Sequence, residues 1–383
     1  MKKTKVLLIT GVFPPGIGGM QSYYHYLCMH SQLDVTVLAP HYEGDEAFDK
    51  ELPYKIIRGN FFENERVNVS SWWNLFKMSR QVSKEVNPDV TIYGYILIGF
   101  IGLLLKWMTG RKYLISTHGK DMLEFRSIPI LHQIVQLILR KADGILTNSE
   151  YTRQLVLDYG VKPANIALIY PGVDSLFNPE PKAESLIEKY GLTNQYVLIT
   201  TGRLVRRKGH DMVIEALPRI AEQIPEVTYL IVGDGPERER LGQLAIAHGV
   251  QDRVVFTGSI STTEDLSTHY NLGDQFIMSS RVLKIKGNVE GFGIVYMEAA
   301  SCRVPIIAGD SGGVREAVLD GQTGVLVQPG EPAAIAEAVI QLYRDPERRQ
   351  ALIDNAYTRA KSEFQYPYLA GKMDAFLNEV SKK

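Results

Sequence analysis

Short apolar runs alternate with longer amphipathic stretches along the whole chain. "KVLLIT", "VTVLAP", "DVTIYGY", "KYLISTHG" and "GILTNS" read as strands, and helical spacing fills the gaps between them. That alternation predicts parallel sheets with helices on both faces. The rhythm stops over Ile169–Ser185, "IYPGVDSLFNPEPKAES", where Pro, Asn, Asp and Gly mark a linker. It resumes with "YVLITTGRL", "VTYLIVGDGP", "RVVFTGS", "QFIMSS", "VPIIAGDSGG" and "TGVLVQPG". The expectation is an α/β protein of two doubly wound domains, residues 1–168 and 169–364. A last amphipathic pattern, "FQYPYLAGKMDAFLNEV", predicts a helix over 365–383 that returns to the first domain. Such domains bind ligands at the carboxyl ends of their strands, so two of them face to face imply a cleft.

Two stretches have other readings. The first apolar run, in "MKKTKVLLIT", is about six residues long and shorter than a signal-peptide core of roughly 7–15; it reads as a first strand. "IYGYILIGFIGLLLKWM", Ile92–Met108, falls short of the roughly 20 residues that cross a bilayer and contains Gly94, Gly99 and Gly102. A strand followed by a buried helix fits it better.

The composition is that of a soluble globular protein: 383 residues, 45% hydrophobic, 22% charged. A net charge of −1 implies no nucleic-acid partner. The balance is uneven, +4 over residues 1–165 and −5 over the remainder, which gives weak support to an anionic surface or acceptor on the first half. Cys28 and Cys302 make neither a disulfide framework nor a metal cluster, and suit the cytoplasm.

Four places could carry chemistry. In "PPGIGGMQSYYHYL" the turn after the first strand holds Gly16, Gly18 and Gly19, and a helix starts near Met20; glycines admit a ligand and a helix N-terminus favours an anion. The turn lacks the G-x-G-x-x-G dinucleotide spacing, and any tight strand-to-helix turn would use glycines. His118 in "STHGKD" follows a strand, either as a site residue or as a hydrogen-bonded structural group. Arg203 and Lys208 in "TGRLVRRKGHD" flank a short loop where both can reach one diphosphate; the competing reading is a solvated basic turn. In "NVEGFGIVYMEAA", Glu290 and Glu298 bracket a glycine turn and a helix start near Ile294. Free N–H groups lie between the two carboxylates, so a phosphate fits in the middle with a hydroxylated ring on each side. Glu298 sits in an apolar setting and needs partners.

Taken together these motifs resemble the retaining glycosyltransferases of family 4. The match runs through "THG", "YPGVD", "GRLVRRKG", "VGDGP", "EGFGIVYMEA" and "SGGVREAV" over nearly the whole chain. The resemblance implies the GT-B fold, two facing Rossmann-like domains with an interdomain cleft, acceptor on the first and donor mainly on the second. It implies that Glu290 binds the donor sugar, Glu298 the ribose, and Arg203 and Lys208 the diphosphate. Gly19 would present its N–H near the distal phosphate, and His118 would touch the sugar, at its 6-hydroxyl. The N–H groups of Phe292 and Gly293 would meet the sugar, and those of Ile294 and Val295 the phosphates. The segment "SSRVLKIKGNVEGFGIVYMEAA" is similar to bacterial phosphatidylinositol-mannoside-type mannosyltransferases, which points to GDP-mannose as donor. No metal motif and no far-face nucleophile stand out, so the expectation is metal-independent, front-face transfer to a lipid or glycan hydroxyl. The rivals are a UDP-sugar-dependent transferase, an inactive nucleotide-sugar-binding subunit and a sugar-nucleotide 2-epimerase; the last lacks an acid/base pair in motif context. Phe61–Gln81 carries Trp72, Trp73, Phe76, Lys77 and Arg80, which could dock on an anionic membrane at its inner face or could be the core side of an ordinary helix.

Overall fold

The computed structural model describes residues 3–383 apart from 17, 63–67, 120, 121, 124, 126, 127 and 284–288. The chain divides into two compact units. The first runs up to Gly172 and takes in Tyr366–Lys383; the second is Val173–Gln365. The division thus falls at Gly172/Val173 rather than after residue 168.

In the first unit seven parallel strands form one sheet: β1 (Lys5–Ile9), β2 (Asp34–Pro40), β3 (Lys55–Gly59), β4 (Val90–Tyr93), β5 (Tyr113–Thr117), β6 (Gly144–Thr147) and β7 (Ile166–Leu168), in the order β3-β2-β1-β4-β5-β6-β7. Side chains alternate across the sheet as the pleat requires. Leu7 and Ile9 face a core covered by the helices Val69–Val86, Gly99–Thr109 and Pro129–Lys141. Val6 and Leu8 face the opposite core, under the helices Gly19–His30 and Tyr366–Lys382. The edge strands β3 and β7 have no counterpart among the predicted strands. They are only half-buried and their apolar runs are short.

The apolar stretch Ile92–Met108 is the end of β4 and a helix pressed onto the sheet. A Cβ at Gly102 would come within 2.5 Å of the Tyr93 ring, and one at Gly99 would overlap Ile115. Glycine at both positions is what lets this helix lie so close. No helix among the described residues is long and apolar enough to cross a membrane.

The terminal helix belongs to the first unit's core through Leu369, Ala370, Met373, Leu377 and Val380. Asp374 accepts hydrogen bonds from Ser31 Oγ and the Gln32 N–H, both at 2.7 Å, and Lys112 Nζ donates to the Ser381 carbonyl at 2.8 Å. Leu377 is fully buried. Leu377→Ala is expected to cost about 2–5 kcal/mol, read from chemical denaturation. A loss below about 1 kcal/mol would mean that this helix does not pack there in solution.

The second unit has six parallel strands: β8 (Tyr196–Thr201), β9 (Val227–Val232), β10 (Val254–Gly258), β11 (Gln275–Met278), β12 (Ile306–Gly309) and β13 (Val325–Val327), ordered β10-β9-β8-β11-β12-β13. The strand order reverses between β8 and β11. A crevice therefore opens beyond their carboxyl ends, next to Thr201 and Met278. In the first unit the same reversal falls between β1 and β4.

Candidate active site

In the second unit three loops interlock at the β8/β11 reversal. Gly202 and Gly233, which close β8 and β9, have φ of +135° and +137°. A Cβ at Gly235 would stand 2.5 Å from the Leu204 carbonyl oxygen, and the Leu204 N–H donates to the Asp234 carbonyl at 2.9 Å. "GRL" and "VGDGP" are therefore two sides of one close backbone contact. Lys208 ends a single 3-10 turn, Arg206–Lys208, stopped by Gly209 at φ +75°; a Cβ on Gly209 would overlap the Ser279 carbonyl just past β11. On the other side the Gly313 N–H donates to the Glu290 carbonyl at 3.0 Å, and a Cβ on Gly313 would overlap the Gly291 carbonyl. "SGGVREAV" is thus the support on which the first glutamate's loop rests.

Glu290 is mostly buried, with Lys208 Nζ 2.8 Å from its carboxylate and the Arg207 guanidinium bonded to the same oxygen. Burial pushes this carboxyl up, but the charges and hydrogen bonds of Lys208 and Arg207 outweigh it and hold the group down at about 2. Arg207 was not among the predicted site residues. Arg203 was, and the structure leaves it exposed, with no ion pair or side-chain hydrogen bond among the described residues. A short turn puts only certain members of "RLVRRK" on one side, and the register of a 3-10 turn is not visible in the order of the letters. The Arg207 carbonyl accepts from the Arg281 N–H at 2.9 Å, and Arg281 is paired at 2.7 Å with buried Asp211.

Glu298 is buried on the helix Ile294–Ser301, where its partner is the Tyr270 hydroxyl, donating at 2.6 Å to Oε2. Burial raises this carboxyl to about 7; the Tyr270 hydrogen bond and the Lys208 charge only partly counter it, and Asp174 adds to the rise. The two glutamates thus have opposite characters, one fixed as an anion by two cations, the other balanced between its acid and its base at neutral pH. Between them the helix begins after Gly293, at φ +92°, without a side-chain cap. The first-turn N–H groups, Ile294 and Val295 among them, have no intrahelical acceptor. Tyr270, like Arg207, was missed from the sequence. It lies far from Glu298 along the chain, and only the packing of the helix Thr263–Tyr270 brings them together.

In the first unit Gly19 is the first residue of its helix, one position earlier than predicted, and is exposed; a Cβ there would meet nothing within 4 Å. The preceding turn is tied down by Arg58, which donates to the Pro14 carbonyl at 2.7 Å and is paired with Asp49 at 2.6 Å. His118 follows β5, with Nε2 2.8 Å from the Tyr24 hydroxyl, and that hydroxyl donates to the Gly94 carbonyl at 2.8 Å. Tyr24 has one proton and the carbonyl can only accept. The imidazole therefore carries its proton on Nε2 and presents Nδ1 as an acceptor. Burial lowers this histidine to about 4, so it is neutral at physiological pH. Lys120 and Asp121 of the "STHGKD" motif lie outside the described residues, as do residues 284–288 of the segment that pointed to GDP-mannose.

Part of Phe61–Gln81, residues 63–67, also lies outside the described residues. The helix that follows has a buried side and an exposed side. Leu75, Ser79 and Val82 are buried, and Trp72 and Phe76 pack against the core. Trp73, Lys77 and Arg80 point to solvent, with Lys77 Nζ 5.3 Å from the Trp73 ring centre.

Comparison with known proteins gives the family. The "Glycosyltransferase Family 4" model matches residues 17–175 and the "Glycosyl transferases group 1" model residues 182–359. The chain is similar to a GDP-mannose-dependent alpha-(1-6)-phosphatidylinositol monomannoside mannosyltransferase of Mycolicibacterium smegmatis, 33% identical over 97% of this chain and 99% of that one. It is 30% identical to the alpha-D-kanosaminyltransferase of Streptomyces kanamyceticus, over 80% of each. Among solved structures, Anabaena HepE in complex with UDP and glucose superposes with a TM-score of 0.81 at 21% identity, covering 98% of this chain and 100% of that one, a likeness of fold.

Proposed function

The chain belongs to glycosyltransferase family 4, and from that premise we propose that it moves mannose from GDP-mannose to a hydroxyl of a lipid or glycan, with retention at the anomeric carbon and without a metal ion. The observation that supports this reading is the Glu290–Arg207–Lys208 cluster beside the uncapped helix start at Ile294, with Glu298 buried one turn further on. In this reading Lys208, Arg207 and the exposed Arg203 take the diphosphate, together with the N–H groups of Ile294 and Val295. Glu290 and the N–H groups of Phe292 and Gly293 take the sugar, and Glu298 takes the ribose hydroxyls. The bond from the anomeric carbon to the phosphate oxygen breaks, and the cations and helix dipole stabilise the charge left on the diphosphate. The acceptor oxygen bonds the same face of that carbon, and its proton passes to the departing phosphate oxygen. On the first unit, neutral His118 offers Nδ1 to a sugar hydroxyl and Gly19 its N–H to a phosphate.

The choice of GDP-mannose follows the relative that shares a third of its residues with this chain. The test is calorimetric titration of GDP, UDP and ADP with EDTA present, followed by transfer assays from the matching donor. Preference for UDP would keep the transferase and discard mannose. Loss of transfer in EDTA that divalent ions restore would overturn the metal-free step.

An acceptor in a membrane matches the outer face of the first unit. The three helices on its Leu7/Ile9 side expose Val69, Trp73, Phe100, Trp107 and Ile130, with Lys77, Arg80, Lys84, Arg140 and Lys141 also at the surface. We place an anionic bilayer surface there, which puts the enzyme at the cytoplasmic face of a membrane. Co-sedimentation with phosphatidylglycerol vesicles but not phosphatidylcholine vesicles is the expected result. Equal partition, or none with either, would remove the membrane from this reading.

Gly19→Ala separates ligand contact from folding. Nothing crowds a Cβ there, and alanine suits a helix better than glycine by up to about 1 kcal/mol. The variant keeps the N–H but sets a methyl where the phosphate would approach it, so it should keep or slightly raise its melting temperature while its kcat/KM falls at least tenfold. Unchanged kcat/KM would remove Gly19 from the site.

A further inference from the structure

A buried hydrogen-bond relay leads to Glu298 from the end of β8. Thr201, the last residue of that strand, is hydrogen-bonded to the Tyr270 hydroxyl, which donates to Glu298 Oε2. Tyr270 is fully buried, its ring edge-on to Phe177 and against Phe276, so the hydroxyl cannot swing away. Oε2 is thereby occupied, and Oε1 has no hydrogen-bond partner among the described residues. We propose that Tyr270 is a positioning residue of the nucleotide site, which presents Oε1 of Glu298 alone to the ligand's vicinal hydroxyls and makes their binding release a proton from that carboxyl. This rests on the reading of Glu298 as the ribose contact.

The charged and titratable groups around Glu298 explain the proton. Tyr270 faces it from the helix Thr263–Tyr270, Lys208 from the cationic turn and Asp174 from the segment after the unit boundary. Cys302 follows the last residue of Glu298's own helix and is faced in turn by Lys361 from the helix Pro346–Glu363. One short hydrogen bond and one cation do not offset the burial, and the carboxyl sits at about 7. Two hydroxyls donating to Oε1 favour the ionised form and lower that value in the complex. Below about 7 the free site then binds a proton that the complex does not, so nucleotide affinity rises with pH and levels off above.

The experiment is calorimetric titration of GDP, with UDP as second probe, from pH 5.5 to 9 in buffers of differing ionisation enthalpy. At pH 6 wild type should release close to one proton more than Glu298→Gln, in which only the ligand's terminal phosphate contributes, and its affinity should level off near pH 7. Tyr270→Phe removes a donor to the charged form and should move the levelling point up by about one to two pH units. Thr201→Val, which keeps the tyrosine, should move it the same way by less, and Glu298→Gln should keep only the pH dependence of the ligand's own terminal phosphate, which ionises at about pH 6. A purely structural Tyr270 would lower stability and leave the levelling point in place; that result, or a wild type that releases no more protons than Glu298→Gln, overturns the inference while the nucleotide site stands. If wild type binds neither diphosphate, the reading of the site falls and this inference falls with it. If Tyr270→Phe fails to fold, Thr201→Val decides.

Discussion

Glu290→Gln should bind GDP about tenfold more tightly than wild type, while transfer falls at least about a hundredfold. The sign follows from the occupancy of the cluster. In the free protein the Glu290 carboxylate already holds Arg207 and Lys208, the two cations that a diphosphate needs. The incoming phosphates compete with that carboxylate and are repelled by it. Glutamine keeps the shape, removes both obstacles, and loses the anionic acceptor for the sugar hydroxyls. Without ligand the variant should be less stable, since Lys208 is left buried without its counter-charge. GDP should therefore raise its melting temperature more than it raises that of wild type. The pH window has a definite sign. The Glu290 carboxyl is depressed in the folded state to about 2, so its contribution, about 3 kcal/mol, is present above pH 4.5 and is lost as pH falls toward 2. GDP affinity equal to or weaker than wild type in the glutamine variant would mean that Glu290 does not compete for these cations.

Lys208→Met is expected to narrow the distinction between a nucleoside diphosphate and a monophosphate. Lys208 is almost fully buried with its ammonium on Glu290, and the methionine stem fills most of the same space. Removal of a charge-assisted contact to the distal phosphate should weaken GDP about 10- to 100-fold. GMP lacks that phosphate and should change by no more than a few-fold. Parallel isothermal titrations of GDP and GMP decide the matter. Equal losses for both would place Lys208 away from the distal phosphate, and its effect would then be one of folding. Arg203→Ala in the same assay reports whether the exposed arginine reaches the diphosphate as the family resemblance implies.

The architecture was legible because buried parallel strands leave apolar runs that loops and helices do not. All six strands of the second unit stand at such runs, from "YVLITTGRL" to "TGVLVQPG". The edge strands β3 and β7 were not legible, although the half-buried edge strand β10 was. Glycines were legible as turns but not in their purpose. Gly209, Gly235 and Gly313 are required by backbones that approach from distant loops, and each contact exists only once the strands are ordered.

The candidate site shows the same division. Its loops could be placed at the carboxyl ends of strands, and Glu290 and Glu298 could be placed on either side of a helix start, because those are relations along the chain. The sequence alone determined two α/β units, their family, and the carboxylates and cations that the proposed reading gives to a nucleotide sugar. Only the tertiary structure decided that Arg207 joins Lys208 on Glu290 while Arg203 stays exposed, and that Glu298 rests on Tyr270. The register of a turn and the packing of one helix against another set which side chains meet. Ionisation then follows burial and partners, which is why two glutamates on one short stretch come to about 2 and about 7.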